Sequence, residues 1–155
     1  MNVYEYAMKV EKEGEAYYRE MAAAATNSGL KRIFTMLADE EVKHYNVFKN
    51  MMKKEDMDLK DLDLITDTKT IFQTLADEKD NVTFDADQVQ FYKDAITREK
   101  DSHDFYAEKA EELDNEKQKK IFLHVAKEEI KHRQILEEIV TFLEEPADCV
   151  ASAEF

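Results

Sequence analysis

The chain has little of what disulfides, tight turns and nucleic-acid contacts require. Its 155 residues include two Gly, one Pro, no Trp and a single cysteine, Cys149. One cysteine cannot form an internal disulfide, and it excludes any site within the chain that needs four cysteines. Positive charge is also scarce, because 22 Lys and Arg stand against 36 Asp and Glu, for a net charge of −14. Nucleic acid and anionic membrane surfaces both require clustered Lys and Arg, so we expect neither as a partner.

Long apolar runs are missing as well. No segment approaches the ~20 apolar residues of a membrane span, and residues 1–15 contain no apolar core of a signal peptide. We therefore expect a soluble, cytoplasmic protein. The length suits one domain, and few helix breakers beside many Glu, Lys, Ala and Met predict an all-α fold.

The apolar residues recur with a period near 3.5 in four long segments, which predicts four helices. The loops within the first pair and within the second pair are short, so each pair must form an antiparallel hairpin. Residues 54–85 connect the two hairpins, and we expect them to cross the length of a bundle; a disordered hinge is the alternative. One domain is predicted over residues 1–145, with a tail at 146–155. The predicted helices span residues 3–26, 29–53, 86–113 and 116–144.

The two hairpins are similar in sequence. A shift of 88 residues, from position 11 to position 99, aligns them without a gap. "AMKVEKEGEAYY" (7–18) then matches "AITREKDSHDFY" (95–106), and "KRIFTMLADEEVKHYNVF" (31–48) matches "KKIFLHVAKEEIKHRQIL" (119–136). The chain is therefore one helical hairpin used twice, which predicts a pseudo-twofold axis between the copies.

Acidic residues and histidines interrupt the apolar stripe of every helix. The first and third helices each place one glutamate at a core position, and the second and fourth each place a Glu-x-x-His pair there. Four buried carboxylates need a counter-charge, and two divalent cations would balance them. Oxygen ligands with some imidazole suit iron or manganese better than a structural zinc site. The six residues are Glu11, Glu41, His44, Glu99, Glu129 and His132.

These motifs resemble the rubrerythrin-like branch of the ferritin-like superfamily. The resemblance rests on "EKEGEAYY", "LADEEVKH", "EKDSHDFY" and "AKEEIKH", and it covers both hairpins. It implies a ferritin-like four-helix bundle in which the same six residues bind two Fe ions, with Mn or a mixed Fe/Mn pair as the other options. It also implies reduction of hydrogen peroxide or dioxygen. Iron oxidation and storage is the alternative function, and a metal-free bundle or a hydrocarbon-oxidising enzyme is less favoured.

The chain departs from the resemblance at two points. Full-length rubrerythrins carry a rubredoxin-like domain with a four-cysteine iron, which we expect this chain to lack. An external electron donor, rubredoxin-like or a reductase, is therefore predicted. Those proteins also have an extra glutamate three residues after the ligand of the third helix, where this chain has Ser102. The long crossover suits helix exchange between subunits, so we expect a homodimer.

The remaining polar residues near the stripes have more ordinary interpretations. Tyr18 and Tyr106 each follow a core glutamate by seven residues, and they are candidates for a hydrogen bond to a ligand carboxylate. Glu40 and Glu128 precede the ligand glutamates but lie off the stripe, which predicts surface positions. We expect a boundary position for His103 and an exposed position for His124, and the sequence assigns no function to Cys149.

Overall fold

The bundle consists of four long helices in the computed structural model, which describes residues 1–53 and 85–144 together with positions 73 and 77. The predicted all-α four-helix bundle is confirmed, and each predicted helix end lies within two residues of the observed one. The crossover predicted for 54–85 and the tail predicted for 146–155 lie outside the described residues, apart from single positions. The helices are α1 (Val3–Ala24), α2 (Ser28–Met52), α3 (Ala86–Glu112) and α4 (Glu116–Glu144).

A polar side chain caps the start of each helix. The side chain of Asn2 accepts a hydrogen bond from the backbone N–H of Glu5, at 2.8 Å. Asn27, Asp85 and Asn115 make the equivalent bonds at the starts of α2, α3 and α4. These bonds satisfy backbone donors that have no partner within the helix, so the caps define where each helix begins.

The apolar core forms two clusters, one toward each end of the bundle. One cluster contains Phe34, Leu37 and Leu136, and the other contains Phe48 and Phe122. Along α2 the first cluster ends at residue 38 and the second begins at residue 47, so a polar layer is enclosed between them.

Aromatic contacts join the two hairpins. Phe48 of α2 stacks on Tyr106 of α3 with ring centroids 5.3 Å apart, and it meets Phe122 of α4 edge-on at 5.2 Å. At the other end, Phe34 of α2 lies 5.2 Å from Tyr92 of α3. Such pairs add about 0.5–1.5 kcal/mol each beyond their buried area, and they hold the hairpins together on both sides of the polar layer.

None of the described helices combines the length and the apolar character that crossing a membrane demands.

Candidate metal centre

The polar layer is built from all six residues that the stripes predicted. Each side chain is buried, with at most 2% of its residue surface exposed. Every helix contributes at the same height, because the two hairpins are antiparallel and the repeat places equivalent residues on opposite sides of the layer. The structure therefore brings together Glu11, Glu41, His44, Glu99, Glu129 and His132.

The six residues form two overlapping groups, each able to hold one metal ion. The ligand atoms of each group lie within 4.8 Å of one another. Glu41 and Glu129 belong to both groups, so these two carboxylates are shared between the two metal positions. The first group is Glu11, Glu41, His44 and Glu129, and the second is Glu41, Glu99, Glu129 and His132.

Both histidines direct Nδ1 toward the carboxylates. His44 Nδ1 lies 3.3 Å from Glu11 Oε2 and 3.7 Å from Glu129 Oε1. His132 Nδ1 lies 3.2 Å from Glu41 Oε1 and 3.7 Å from Glu129 Oε2. The two imidazole rings are nearly parallel, with centroids 5.9 Å apart. A pair of cations between the shared carboxylates would therefore meet one imidazole nitrogen on each side.

The two buried tyrosines hydrogen-bond to glutamates of the opposite hairpin. The hydroxyl of Tyr18 on α1 donates to Glu99 Oε1 on α3 at 2.5 Å, and the hydroxyl of Tyr106 on α3 donates to Glu11 Oε1 on α1 at 2.6 Å. Burial and the nearby carboxylate charges raise the pKa of both phenols well above 10.0, so both hydroxyls keep their protons. Each tyrosine thus fixes one oxygen of one unshared glutamate.

Burial and charge act differently on the shared and the unshared glutamates. Burial raises the pKa of Glu41 and of Glu129 well above 4.5, and repulsion from the neighbouring carboxylates adds to the effect. Burial also acts to raise the pKa of Glu11, but the charge of His44 and hydrogen bonds, including the one from Tyr106, lower it to about 2. Without metal, the shared carboxylates therefore keep their protons to higher pH than Glu11 does.

Polar contacts likewise shift the pKa of the second unshared glutamate and of its histidine. Burial acts to raise the pKa of Glu99, yet contacts with Glu129 and His132 and the hydrogen bond from Tyr18 lower it. Burial acts to lower the pKa of His132, but its contacts with the carboxylates of Glu40, Glu41 and Glu99 raise it well above 6.5. Without metal, His132 therefore keeps its positive charge to higher pH than a free imidazole does.

The predicted surface positions of Glu40 and Glu128 are wrong. Both residues are buried, with 2% exposure each. Glu40 Oε2 lies 2.5 Å from His132 Nε2, on the side of the ring that faces away from the other ligands. Neighbouring residues on a helix differ by about 100° in direction, so a position beside the ligand faces the adjacent helix rather than solvent. The repeat held the signal that was missed, because both copies carry "EE" at this point.

A close approach between α1 and the site requires Gly14. A Cβ at this position would lie 2.8 Å from Glu41 Oε2 and 2.9 Å from Arg98 Nη1. Arg98 reaches across from α3, stacks over the ring of Tyr17 and donates a hydrogen bond to the carbonyl oxygen of Val10 at 2.5 Å. The missing side chain therefore leaves room for a shared carboxylate and a guanidinium side by side.

The donor atoms fit a pair of divalent cations. Several buried atoms that face the layer have no hydrogen-bond partner among the described residues, including Glu41 Oε1, Glu129 Oε1 and His132 Nδ1. Leaving such atoms unpaired costs about 1–3 kcal/mol each, more if they are charged, and coordination removes that cost. Four carboxylates balance two divalent ions, and oxygen with imidazole nitrogen is a donor set that iron and manganese accept.

Comparison with protein families agrees with this geometry. The family model for rubrerythrin matches residues 2–140, with a second match at residues 90–154. The chain belongs to the rubrerythrin family. Searches among functionally curated proteins and among solved structures gave no significant match. Members of this family bind a di-iron centre, and this rubrerythrin-family chain has a buried carboxylate and histidine cluster that could hold metal ions.

The other predicted residues lie outside the ligand set. Ser102, which stands where the extra glutamate of full-length rubrerythrins is expected, is buried one turn beyond Glu99. His103 is partly exposed and lies 3.0 Å from Asp104, in agreement with a boundary position. The predicted exposed position of His124 is only half right, because 30% of its side chain is exposed and it faces the carboxylate of Glu128. Cys149 lies outside the described residues.

Proposed function

We propose that this rubrerythrin-family chain reduces hydrogen peroxide, or dioxygen, at two iron ions held by its carboxylate and histidine cluster. The observation that supports the proposal is the sharing of Glu41 and Glu129 between two adjacent metal positions. Reduction of one hydrogen peroxide to two waters takes two electrons and two protons. Two adjacent metal ions that each change charge by one can supply both electrons at one place.

The surrounding residues have definable tasks in this reaction. The two apolar clusters exclude bulk water from the layer, which strengthens the electrostatic interactions within it. Tyr18 and Tyr106 hold the unshared glutamates in a fixed orientation through their hydroxyls. The raised pKa of Glu41 and of Glu129 means that loading with metal releases protons from these carboxylates.

Electrons must come from another molecule in this proposal. The single cysteine of the chain cannot form a four-cysteine iron site, and the layer is enclosed between the two apolar clusters. A small redox protein of the rubredoxin type, or a reductase, is the donor that we propose. The homodimer expected from the sequence also stays a prediction.

A stopped-flow comparison tests the proposal. The apo-protein is loaded with Fe(II) without air and mixed in parallel with hydrogen peroxide and with air-saturated buffer, while ferric absorbance is recorded. We expect oxidation to be faster with peroxide and to saturate at two irons per chain. Oxidation that continues well beyond two irons, and is faster with dioxygen, would instead support iron storage.

Two variants make the comparison specific. Glu129→Ala removes a shared carboxylate and should abolish the fast phase. His103→Gln changes a partly exposed histidine outside the ligand set, and its fast phase should match the wild type. Equal rates in all three proteins would show that the oxidised iron is not bound in the cluster.

A further inference from the structure

The two ligand histidines differ in what their outer nitrogens contact. His132 Nε2 lies 2.5 Å from Glu40 Oε2, a buried carboxylate on the opposite hairpin. His44 Nε2 is equally buried, yet no described residue forms a hydrogen bond with it. The ring of His132 is also held edge-on by Tyr18, with centroids 5.9 Å apart. One histidine is therefore supported from two sides, whereas the described residues give the other no hydrogen bond at its outer nitrogen.

The repeat makes this difference unexpected. Glu128 is the equivalent of Glu40 under the shift of 88 residues, from 40 to 128, and it should serve His44 as Glu40 serves His132. Glu128 is buried to the same extent. Its Oε1 instead lies 3.5 Å from His124 Nε2 and 3.6 Å from Lys131 Nζ, both on its own helix. Its Oε2 has no hydrogen-bond partner within the described part of the chain.

One sequence difference between the copies accounts for the change. The residue four before Glu128 is His124, and the residue four before Glu40 is Met36. A thioether donates no hydrogen bond, so α2 offers Glu40 no such partner one turn back. Lys131 has Lys43 as its equivalent, so the lysine does not distinguish the copies. The imidazole of His124 therefore draws Glu128 along its own helix.

We propose that Glu40 is a positioning residue for His132, and that the metal position built on His132 consequently binds its ion more tightly than the position built on His44. A carboxylate that accepts the Nε2–H bond leaves Nδ1 free to coordinate, fixes the orientation of the ring and increases its basicity as a ligand. The inference rests on the metal centre of the proposed function, but it concerns the order of binding rather than the reaction.

A titration of the apo-protein with Co(II), followed by visible absorption and calorimetry, tests the proposal. We expect two unequal steps in the wild type. Glu40→Ala should weaken the tighter step by about 10–100-fold, the usual cost of removing an outer partner of a ligand histidine. Glu40→Gln should restore part of the affinity, since an amide oxygen still accepts a hydrogen bond but carries no charge.

The repeat supplies matched variants. Glu128→Ala removes the equivalent carboxylate, and it should leave the tighter step unchanged. His124→Met gives α4 the residue that α2 has at the equivalent position, Met36. It should free Glu128 to contact His44 and so strengthen the weaker binding step. Helix content measured by circular dichroism confirms that each variant is folded, and Glu40→Gln replaces Glu40→Ala if the latter does not fold.

Nuclear magnetic resonance of the Zn(II)-loaded protein, with ¹⁵N-labelled histidine, identifies the ring that is held. We expect a slowly exchanging Nε2–H signal from His132, which Glu40→Ala abolishes and Glu40→Gln retains. A loss of affinity without loss of this signal would overturn the positioning role. Equal weakening of the tighter step by Glu40→Ala and Glu128→Ala would overturn the inequality of the two positions.

The outcomes also separate this inference from the proposed function. Two bound Co(II) ions in a protein that does not react with peroxide would overturn only the proposed function. A wild-type protein that binds no Co(II) would overturn both.

Discussion

The two hairpins carry the same three ligands at equivalent positions, but the side chains around those ligands differ. Glu40 supports His132 across the bundle, while Glu128 turns to His124 on its own helix. The copies agree where two cations require a fixed set of charges and donors. They differ at the side chains that surround the ligands. The comparison shows that both hairpins together determine the ligand set, whereas the contact of each supporting glutamate also depends on the residue one helix turn before it.

Substitution of the shared glutamates should have the largest effect on metal binding. Glu41→Ala and Glu129→Ala each remove a ligand from both metal positions, so we expect both variants to lose both ions. Glu11→Ala removes a ligand from one position only, and it should retain one ion. The loss at an affected position should exceed the about 10–100-fold cost of removing an outer partner. Equilibrium dialysis with metal analysis measures the stoichiometry, and loss of both ions in Glu11→Ala would contradict the two overlapping groups.

The pH dependence of the apo-protein is the next test. Folding raises the pKa of Glu41 and of Glu129 above 4.5, so their contribution to stability is full below that value and is lost as the pH rises through the folded pKa. The raised pKa of His132 acts in the same direction above 6.5. The lowered pKa of Glu11, about 2, contributes stability that is lost only in acid, as the pH falls below 4.5.

We therefore expect the melting temperature of the apo-protein to fall as the pH rises above 4.5, while that of the metal-loaded protein falls less. Thermal scans by circular dichroism measure both curves. The double variant Glu41→Gln/Glu129→Gln is the control, because it removes the two shared carboxyls and should flatten the apo curve. A rising apo curve over this range would show that the shared carboxylates are not the protonated pair.

The hydrogen bonds of Tyr18 and Tyr106 to glutamates of the opposite hairpin should contribute equally to stability. Tyr18→Phe and Tyr106→Phe each remove a hydrogen bond to a buried carboxylate, and we expect each to cost about 1.5–3 kcal/mol of unfolding free energy. Tyr92→Phe is the matched control, since Tyr92 is buried in the apolar core and its hydroxyl contacts none of the ligands in the described structure. Urea unfolding of the apo-proteins measures the differences. A cost confined to one of the two ligand-bound tyrosines would extend the asymmetry of the histidines to the unshared glutamates.

Gly14 and Ser102 give the smallest expected difference in stability. A Cβ at position 14 meets the ends of two side chains, and the steric cost opposes the gain of about 1 kcal/mol from replacing glycine by alanine in a helix. We expect Gly14→Ala to change stability by less than about 1 kcal/mol but to weaken Co(II) binding, because Glu41 must move. Ser102→Ala, at the equivalent position, should leave Co(II) binding unchanged. Unaltered Co(II) binding in both variants would show that the added methyl group displaces Arg98 and leaves Glu41 in place.

Much of the fold and of the ligand set could be predicted because each depends on one helix at a time. The apolar period is local to each segment, and the helix ends predicted from it lie within two residues of the observed ones. The six cluster residues were visible as interruptions of the apolar stripes. That these residues bind metal remains a prediction, whereas their meeting in one buried layer is seen in the structure.

The contacts between helices could not be predicted in the same way. Seven residues separate Tyr18 from Glu11, about 10 Å along the helix axis, which is too far for a hydrogen bond. Only the antiparallel packing of α1 against α3 brings Tyr18 to Glu99. The burial of Glu40 likewise depends on α4 lying beside α2, and the apolar pattern of α2 alone does not show it; the only signal was the repetition of "EE" in α4.

The exchange of one glutamate between the hairpins has a consequence for how such a chain can arise. Each metal position takes three ligands from one hairpin and the fourth from the other, Glu129 in one case and Glu41 in the other. A single hairpin can therefore complete neither position, but two identical hairpins around a twofold axis would contain the whole set. The chain in this sense resembles two copies of one hairpin joined in a single polypeptide, and the joined copies can carry different residues at equivalent positions, as Met36 and His124 do.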